Sequence, residues 1–85
     1  MTPIRTAEDL GKVIRAQRKR QGLRQAELAA MVGASHVFLG DVEKGRPTVS
    51  LGRVLHLLDE LGIRLIADTP DEIATPPSKP SVVLR

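Results

Sequence analysis

The part of the sequence that most constrains the fold is the run from Gln25 to Val42, in which two short apolar-patterned segments meet at Gly33. Ala29 is small where one helix would cross the next, and Gly33 allows a left-handed turn between the two without steric cost. The positions that must be apolar to bury one common face are all apolar: Leu28, Val32, Ala34, Leu39 and Val42. The pattern predicts two helices held at a fixed angle around a tight turn, although any tight helical hairpin would satisfy some of these positions.

Helix signals also stand on both sides of this pair. Thr6 and Asp9 form a variant capping box that starts a first helix, and Ser35 can cap the third. A leucine-rich fourth helix follows, in which Leu57 widens the apolar stripe beyond what one small core requires. The helices are predicted over residues 7–21, 25–32, 36–44 and 50–61.

Residues 63–67 alternate between apolar and other side chains with a period of two, which predicts a short strand. Because a lone strand leaves its backbone groups unpaired, the simplest partner is the same strand of a second copy across a two-fold axis. The alternative is an extended coil packed on the fourth helix. Dimer contacts are predicted at Leu57, Leu61, Ile63, Leu65 and Ile66.

The expected fold is all-α, a small bundle of four to five helices with a short C-terminal strand that pairs across a dimer. The chain divides into an N-terminal arm (1–5), a helical domain (6–62), a dimerising strand (63–68) and a tail (69–85). The tail is expected to be flexible because it holds four of the 6 prolines among polar residues. With Phe38 as the single aromatic residue, the core is small, which gives dimerisation a physical motive.

Several functional classes find no support in the sequence. The chain has no cysteine, so neither a disulfide framework nor a thiolate metal site is expected. The two histidines, His36 and His56, stand apart without a metal-binding pattern, and Ser35 lacks the surroundings of a nucleophile. We therefore expect no catalysis, metal or cofactor. The absence of a membrane-length apolar run and of a secretion signal predicts a cytoplasmic protein.

The basic residues are concentrated in the middle of the chain. Between Lys12 and Arg46 there are eight basic and three acidic residues, a balance of +5, whereas the whole chain carries +3. A basic middle is typical of proteins with a polyanionic partner, although solvated helix faces also carry such charges.

Four short runs in this region resemble the phage-repressor and Cro-like (XRE-type) helix-turn-helix family. They are residues 14–18 (IRAQR), 22–29 (GLRQAELA), 32–35 (VGAS) and 42–45 (VEKG). This resemblance covers residues 6 to about 62. The C-terminal half of the chain is similar to HipB-type antitoxins in four segments: residues 45–49, the leucine-rich helix, residues 61–63 and the strand after them. Such antitoxins are autorepressors of toxin–antitoxin operons, and their usual partner is a HipA-like kinase toxin.

The resemblance implies roles for individual residues. Arg18 and Glu43 match an internal ion pair that links the first helix to the end of the third. Gln25 matches a glutamine that bonds a DNA phosphate and steadies the recognition helix. Phosphate clamps, which orient a protein on DNA without reading its sequence, are expected at Arg24, Lys44 and Arg46.

The third helix would enter the major groove of DNA with its N-terminal part. Candidate DNA contacts on or beside its exposed side are Ser35, His36, Val37, Phe38, Gly40 and Asp41. In the family, glutamine is frequent at the position of His36. Histidine cannot make the same two hydrogen bonds to adenine, so the operator sequences of the family do not apply to this chain. Val37 and Phe38 can touch thymine methyl groups, although Phe38 is equally well interpreted as a core residue.

Two residues in this helix are unfavourable for DNA binding. Gly40 costs a helix about 1 kcal/mol relative to alanine, which a close backbone approach to DNA would explain and drift would explain too. Asp41 repels phosphate unless it meets a cytosine amino group or a neighbouring arginine.

The resemblance leads first to an antitoxin and autorepressor that binds a palindromic operator in double-stranded DNA as a homodimer, with a HipA-like kinase toxin as partner. A phage-type regulator without a toxin is the alternative. A helical interaction module that does not bind DNA is the third hypothesis.

Overall fold

The computed structural model describes residues 2–70, and these contain four helices and no strand. The helices are α1 (Ala7–Arg20), α2 (Gln25–Met31), α3 (His36–Lys44) and α4 (Leu51–Glu60). Each lies within one residue of its predicted bounds at either end, so the all-α prediction and its element order are confirmed. The predicted tail lies outside the described residues from position 71 onward.

Helices α1 and α3 start at side-chain caps that the sequence already indicated. The Thr6 hydroxyl accepts a hydrogen bond from the Asp9 amide at 3.0 Å, and the Asp9 carboxylate accepts one from the Thr6 amide at 3.2 Å. The Arg5 amide also donates to this carboxylate, and that bond is the main reason why the pKa of Asp9 lies below its usual value. At α3, the Ser35 hydroxyl accepts from the Phe38 amide at 3.2 Å. Both caps satisfy amides that the first turn of a helix leaves unpaired.

The core lies between the four helices, and every helix contributes to it. Its buried apolar side chains are Ile14, Leu28, Ala29, Leu39, Val42, Val54, Leu57, Leu58 and Leu61. Of the inward-facing residues predicted for α2 and α3, four are among them (Leu28, Ala29, Leu39 and Val42), whereas Val32 is only partly buried against the core. The core therefore fixes the angle between the two helices on which the functional prediction depends.

Leu57 and Leu61 were predicted as contacts with a second copy, and this prediction is wrong. Their exposed fractions are 0% and 1%, so both side chains belong to the core of their own chain. The reason is that both side chains belong to one buried cluster with residues of the other three helices, so the added leucine is used within the chain.

The strand predicted over residues 63–68 is absent from the described chain, and the segment has no regular secondary structure. A lone strand has no neighbour within the chain to complete its hydrogen bonds. Ile63 and Leu65 instead pack against the core while still partly exposed. The segment thus follows the alternative of an irregular stretch packed on the helices, with Ile66 40% exposed.

Helices α1 and α3 approach each other backbone to backbone at Gly11. A Cβ atom at this position would lie 2.5 Å from the Val42 carbonyl oxygen and 2.7 Å from that of Glu43. A second glycine allows a similar approach, because a Cβ atom on Gly45 would lie 2.6 Å from the Cα atom of Glu8. Gly45 also has a φ of 81°, a left-handed conformation that suits glycine at a helix end. These two glycines set how closely α3 lies on α1.

No helix within residues 2–70 is long and apolar enough to cross a membrane. In the same part of the chain, no group of three or more histidine, cysteine, aspartate or glutamate side chains could hold a metal ion.

Candidate nucleic-acid interface

A buried ion pair joins α1 to the end of α3. The Arg18 Nε atom donates to Glu43 Oε2 at 2.7 Å, and Arg18 Nη2 donates to Glu43 Oε1 at 2.9 Å. The remaining nitrogen, Nη1, donates to the Leu23 carbonyl oxygen at 2.8 Å. Arg18 is 7% exposed, so this two-pronged contact is almost free of solvent. The structure thus contains the pair that the family resemblance implied, with a third bond that ties in the segment before α2.

The surroundings of Glu43 keep its carboxylate ionised. Burial by itself raises the pKa of this group, but hydrogen bonds from Arg18 and Gln25 and the charges of Arg18 and Arg15 bring the pKa below its usual value of 4.5. Hydrogen bonding to Glu43 likewise raises the pKa of Arg18. Charged donors and acceptors make stronger hydrogen bonds than neutral ones, so the pair is a firm link between the two helices.

Gln25 is part of this link and was not expected to be. Its Nε2 atom donates to Glu43 Oε1 at 3.1 Å, and because a carboxylate only accepts, the amino end of the amide must face it. The Nε2 group carries a second hydrogen, which leaves one donor for a DNA phosphate. Gln25 thus joins the start of α2 to the end of α3 and retains the donor that its predicted role requires.

The exposed part of α3 begins at its first turn. His36 and Val37 are both exposed, and the exposed fraction of Val37 is 64%. An apolar side chain this exposed at the start of a helix is free to contact a partner. The Ser35 hydroxyl oxygen accepts the α3 cap bond, so this predicted DNA contact also has a structural role within the chain.

Phe38 packs against the core and is only partly exposed, which favours the core interpretation over a base contact. The Arg53 guanidinium of α4 lies over its ring, with Cζ 5.9 Å from the ring centroid. Both side chains also line a surface groove of about 150 Å³, together with Val32, Gly33, Ala34, Gly52 and His56. Arg53 and the groove join distant parts of the sequence, and no local pattern indicates them.

Asp41 has the neighbouring arginine that would make it compatible with DNA. The Arg46 Nε atom lies 4.0 Å from Asp41 Oδ1, and the Arg46 amide donates to the Asp41 carbonyl oxygen at 3.0 Å. The arginine side chain is 62% exposed, so the pair contributes little stability. Its effect is local: the negative charge of α3 is balanced on the surface where phosphates are expected.

The predicted phosphate clamps lie at two helix ends. Arg24 precedes α2 with a side chain that is 85% exposed, and its Nε atom lies 3.2 Å from Glu27 Oε1. Lys44 is the last residue of α3, and Arg46 comes two residues later; both side chains are exposed.

Gly40 lies in the middle of α3 and is partly exposed. No neighbouring side chain or other helix comes within 4 Å of the place where its Cβ atom would stand.

Two short helices around a tight turn, with the second exposed at its start and basic residues at both ends of the pair, define a helix-turn-helix DNA-binding protein. Residues 9–65 match the family model described as "Helix-turn-helix domain". The chain belongs to the helix-turn-helix family of transcriptional regulators.

Known proteins of this kind are similar over most of the chain. The uncharacterized HTH-type transcriptional regulator y4mF of Sinorhizobium fredii (strain NBRC 101917 / NGR234) is 42% identical over 69 residues, which is 81% of this chain and 91% of that protein. The ImmF control region 10 kDa protein of Bacillus phage phi105 is 38% identical over 53 residues, 59% of each chain. A chain in the structure of the HipA-HipB-O2-O3 complex has a TM-score of 0.74 at 18% identity and covers 84% of this chain and 100% of its own. That last similarity shows the fold alone.

Proposed function

We propose that the chain is a homodimeric repressor that reads a palindromic DNA operator with α3. The observation that carries this proposal is that the exposed first turn of α3 belongs to a helix that is firmly attached to its neighbours. His36 and Val37 stand on a helix whose far end is fixed to α1 and α2 by the Arg18–Glu43–Gln25 network. A reading surface that is already rigid loses little conformational entropy when it binds.

Affinity and specificity would come from different residues. Arg24, Gln25, Lys44 and Arg46 bind phosphates, so the affinity falls steeply as salt rises. His36 hydrogen-bonds a base edge, and the Val37 side chain contacts a thymine methyl group. Two such units on one operator would place their α3 helices in successive major grooves, about 34 Å apart.

This division of labour is testable with two alanine variants. We expect Arg46→Ala to weaken binding to all duplexes alike, by about tenfold, and to lower the slope of affinity against salt by about one phosphate contact. His36→Ala should change which duplex is preferred, with a cost of about 1–3 kcal/mol at its base pair. The measurement is selection from a random duplex library, followed by titration at three salt concentrations. A changed preference at one base pair in Arg46→Ala, with unchanged affinity for random DNA, would contradict the assignment.

Gly40 allows a test in which stability and binding move in opposite directions. Because nothing in the described chain contacts the place of its Cβ, Gly40→Ala should raise the free energy of unfolding by about 0.5–1 kcal/mol. If the α3 backbone lies close to DNA at this point, the added methyl group lowers DNA affinity. Gly52→Ala is the matched control, since it adds a methyl to α4 with only the Ser50 hydroxyl at 4.0 Å. Thermal unfolding and DNA titration of both variants decide this, and unweakened binding by Gly40→Ala would exclude the close approach.

The second copy is proposed to join through residues 63–68. This segment has no regular structure within the chain, and Ile66 exposes 40% of its surface there. Pairing with the same segment of another copy would give its backbone groups partners and cover Ile66. We expect a chain that ends after Gly62 to have a dimer dissociation constant at least tenfold higher in sedimentation equilibrium. Ile66→Ser should give a smaller effect of the same sign, and an unchanged dimer in both would exclude this segment as the interface.

The finer proposal is that the repressor is an antitoxin with a HipA-like kinase toxin as partner. It is supported by the fold similarity to a chain of the HipA-HipB-O2-O3 complex, which takes in 84% of this chain. The phi105 relative favours instead a phage-type regulator without a toxin. Co-expression with the adjacent reading frame separates the two. A kinase-like neighbour that copurifies in fixed stoichiometry supports the antitoxin, and a neighbour that does not bind supports the phage-type regulator.

A further inference from the structure

A side-chain contact joins the first turns of α3 and α4. Phe38 is the single aromatic residue of the chain, and the Arg53 guanidinium lies 5.9 Å from the centroid of its ring. The face of an aromatic ring carries negative charge density, so a cation above it is attracted. This contact lies in the same first turn of α3 that carries His36 and Val37, the two residues before Phe38.

Both partners are held at their backbones by a helix cap. The Phe38 amide donates to the Ser35 hydroxyl at 3.2 Å, and the Arg53 amide donates to the Ser50 hydroxyl at 3.4 Å. Each residue is therefore the third of its helix, at the point where the cap fixes the chain. A contact between two such anchored residues restrains how one helix start is oriented relative to the other.

The far end of α3 does not need this contact. It is already fixed by Arg18 and Gln25 through Glu43. At its first turn, α3 has its serine cap, the packing of Phe38 on the core and the guanidinium over the ring. The groove beside the ring is lined in part by Gly33, Ala34 and Gly52, which have no side chain or only a methyl group to place against it.

We propose that Arg53 is a positioning residue for sequence recognition: its guanidinium over the Phe38 ring holds the first turn of α3, and so fixes where His36 and Val37 meet the base edges. The proposal rests on the function proposed above. Arg53 acts here through the ring and not through a DNA phosphate, and this distinguishes it from Arg24, Lys44 and Arg46.

The test compares Arg53→Gln, Phe38→Leu and the double variant in the full chain. The probes are the duplex that the wild type selects from a random library and a random duplex of equal length. We expect either single change to lower the ratio of the affinity for the selected duplex to that for the random duplex about three- to fivefold. The double change should add little more, because both substitutions remove the same contact between ring and guanidinium. The salt slope of Arg53→Gln should equal that of the wild type. An equal loss on both duplexes with a lower salt slope would make Arg53 a phosphate clamp and overturn the proposal, as would an unchanged ratio.

Amide hydrogen exchange of the free protein separates this proposal from the proposed function. If the wild type selects no duplex, the proposed function is wrong, but hydrogen exchange still tests whether Arg53 holds the first turn of α3. Arg53→Gln should then speed exchange at the first turn of α3 several-fold and leave its last turn unchanged. Exchange that is unchanged at both ends would overturn the positioning role, whatever the DNA result.

Discussion

Replacing Arg18 with alanine is expected to lower the free energy of unfolding by about 3–5 kcal/mol, the largest effect of any single substitution considered. The change leaves the Glu43 carboxylate buried, with an exposed side-chain fraction of 4%, and removes two of its three hydrogen bonds. It also leaves the Leu23 carbonyl oxygen without the guanidinium that now donates to it. Chemical denaturation followed by circular dichroism measures the loss.

Two controls distinguish the stability lost by breaking the ion pair from the stability lost by removing a side chain. Arg20→Ala removes an exposed cation from the same helix and should change stability by less than about 0.5 kcal/mol. Replacing both partners together, Arg18→Met with Glu43→Leu, should cost much less than Arg18→Ala, because no unpaired charge is left inside. A loss below about 1 kcal/mol in Arg18→Ala would mean that the pair does not hold the helices as described.

The same pair contributes to how stability responds to acid. Since the folded pKa of Glu43 lies below its usual value of 4.5, the unfolded chain takes up this proton first as the pH falls. The contribution of the pair is therefore fully present above about pH 4.5 and is lost as the pH falls through the folded pKa. In Arg18→Ala this acid-dependent loss should be smaller, which denaturation at pH 7 and pH 3.5 would measure.

Gly11→Ala is expected to be the second most damaging change, with a loss of about 3 kcal/mol. The new methyl group would lie 2.5 Å from the Val42 carbonyl oxygen and 2.7 Å from that of Glu43. Both obstacles are backbone atoms of α3, which cannot turn aside as a side chain can, so the two helices must move apart. Thermal unfolding gives the size of the effect.

The chain contains its own control for this prediction. Gly52 is also helical, but its surroundings leave room for a methyl group, so Gly52→Ala should gain up to about 1 kcal/mol from the higher helix propensity of alanine. Opposite signs at the two positions are the expected outcome. A stable Gly11→Ala variant with unchanged DNA binding would contradict the close packing of α1 on α3.

The helices were predictable because their signals are local. The Thr6–Asp9 caps and the apolar spacing of α2 and α3 act within a few residues, and the structure has each helix within one residue of its prediction. The Arg18–Glu43 pair followed from the family resemblance, since nothing in the spacing of two residues 25 apart indicates a contact.

What could not be predicted depends on contacts between distant segments. Gly11 lies inside the predicted first helix, and only the position of α3 shows why a residue without a side chain stands there. The width of the α4 stripe was interpreted as a dimer surface because a sequence does not show how many helices cover it, and Leu57 proved to be core. For Phe38 the two interpretations were equal until its packing against the core and Arg53 was known.

The most direct test of the central claim, sequence-specific DNA binding by α3, is a mobility shift on the DNA immediately upstream of this protein's own gene. It is run at two salt concentrations against random competitor DNA, with His36→Ala beside the wild type. The account predicts a shift by two copies of the chain that resists random competitor, weakens at higher salt and is lost or redirected in His36→Ala. A shift that random DNA removes equally well, or one that His36→Ala leaves unchanged, would contradict it.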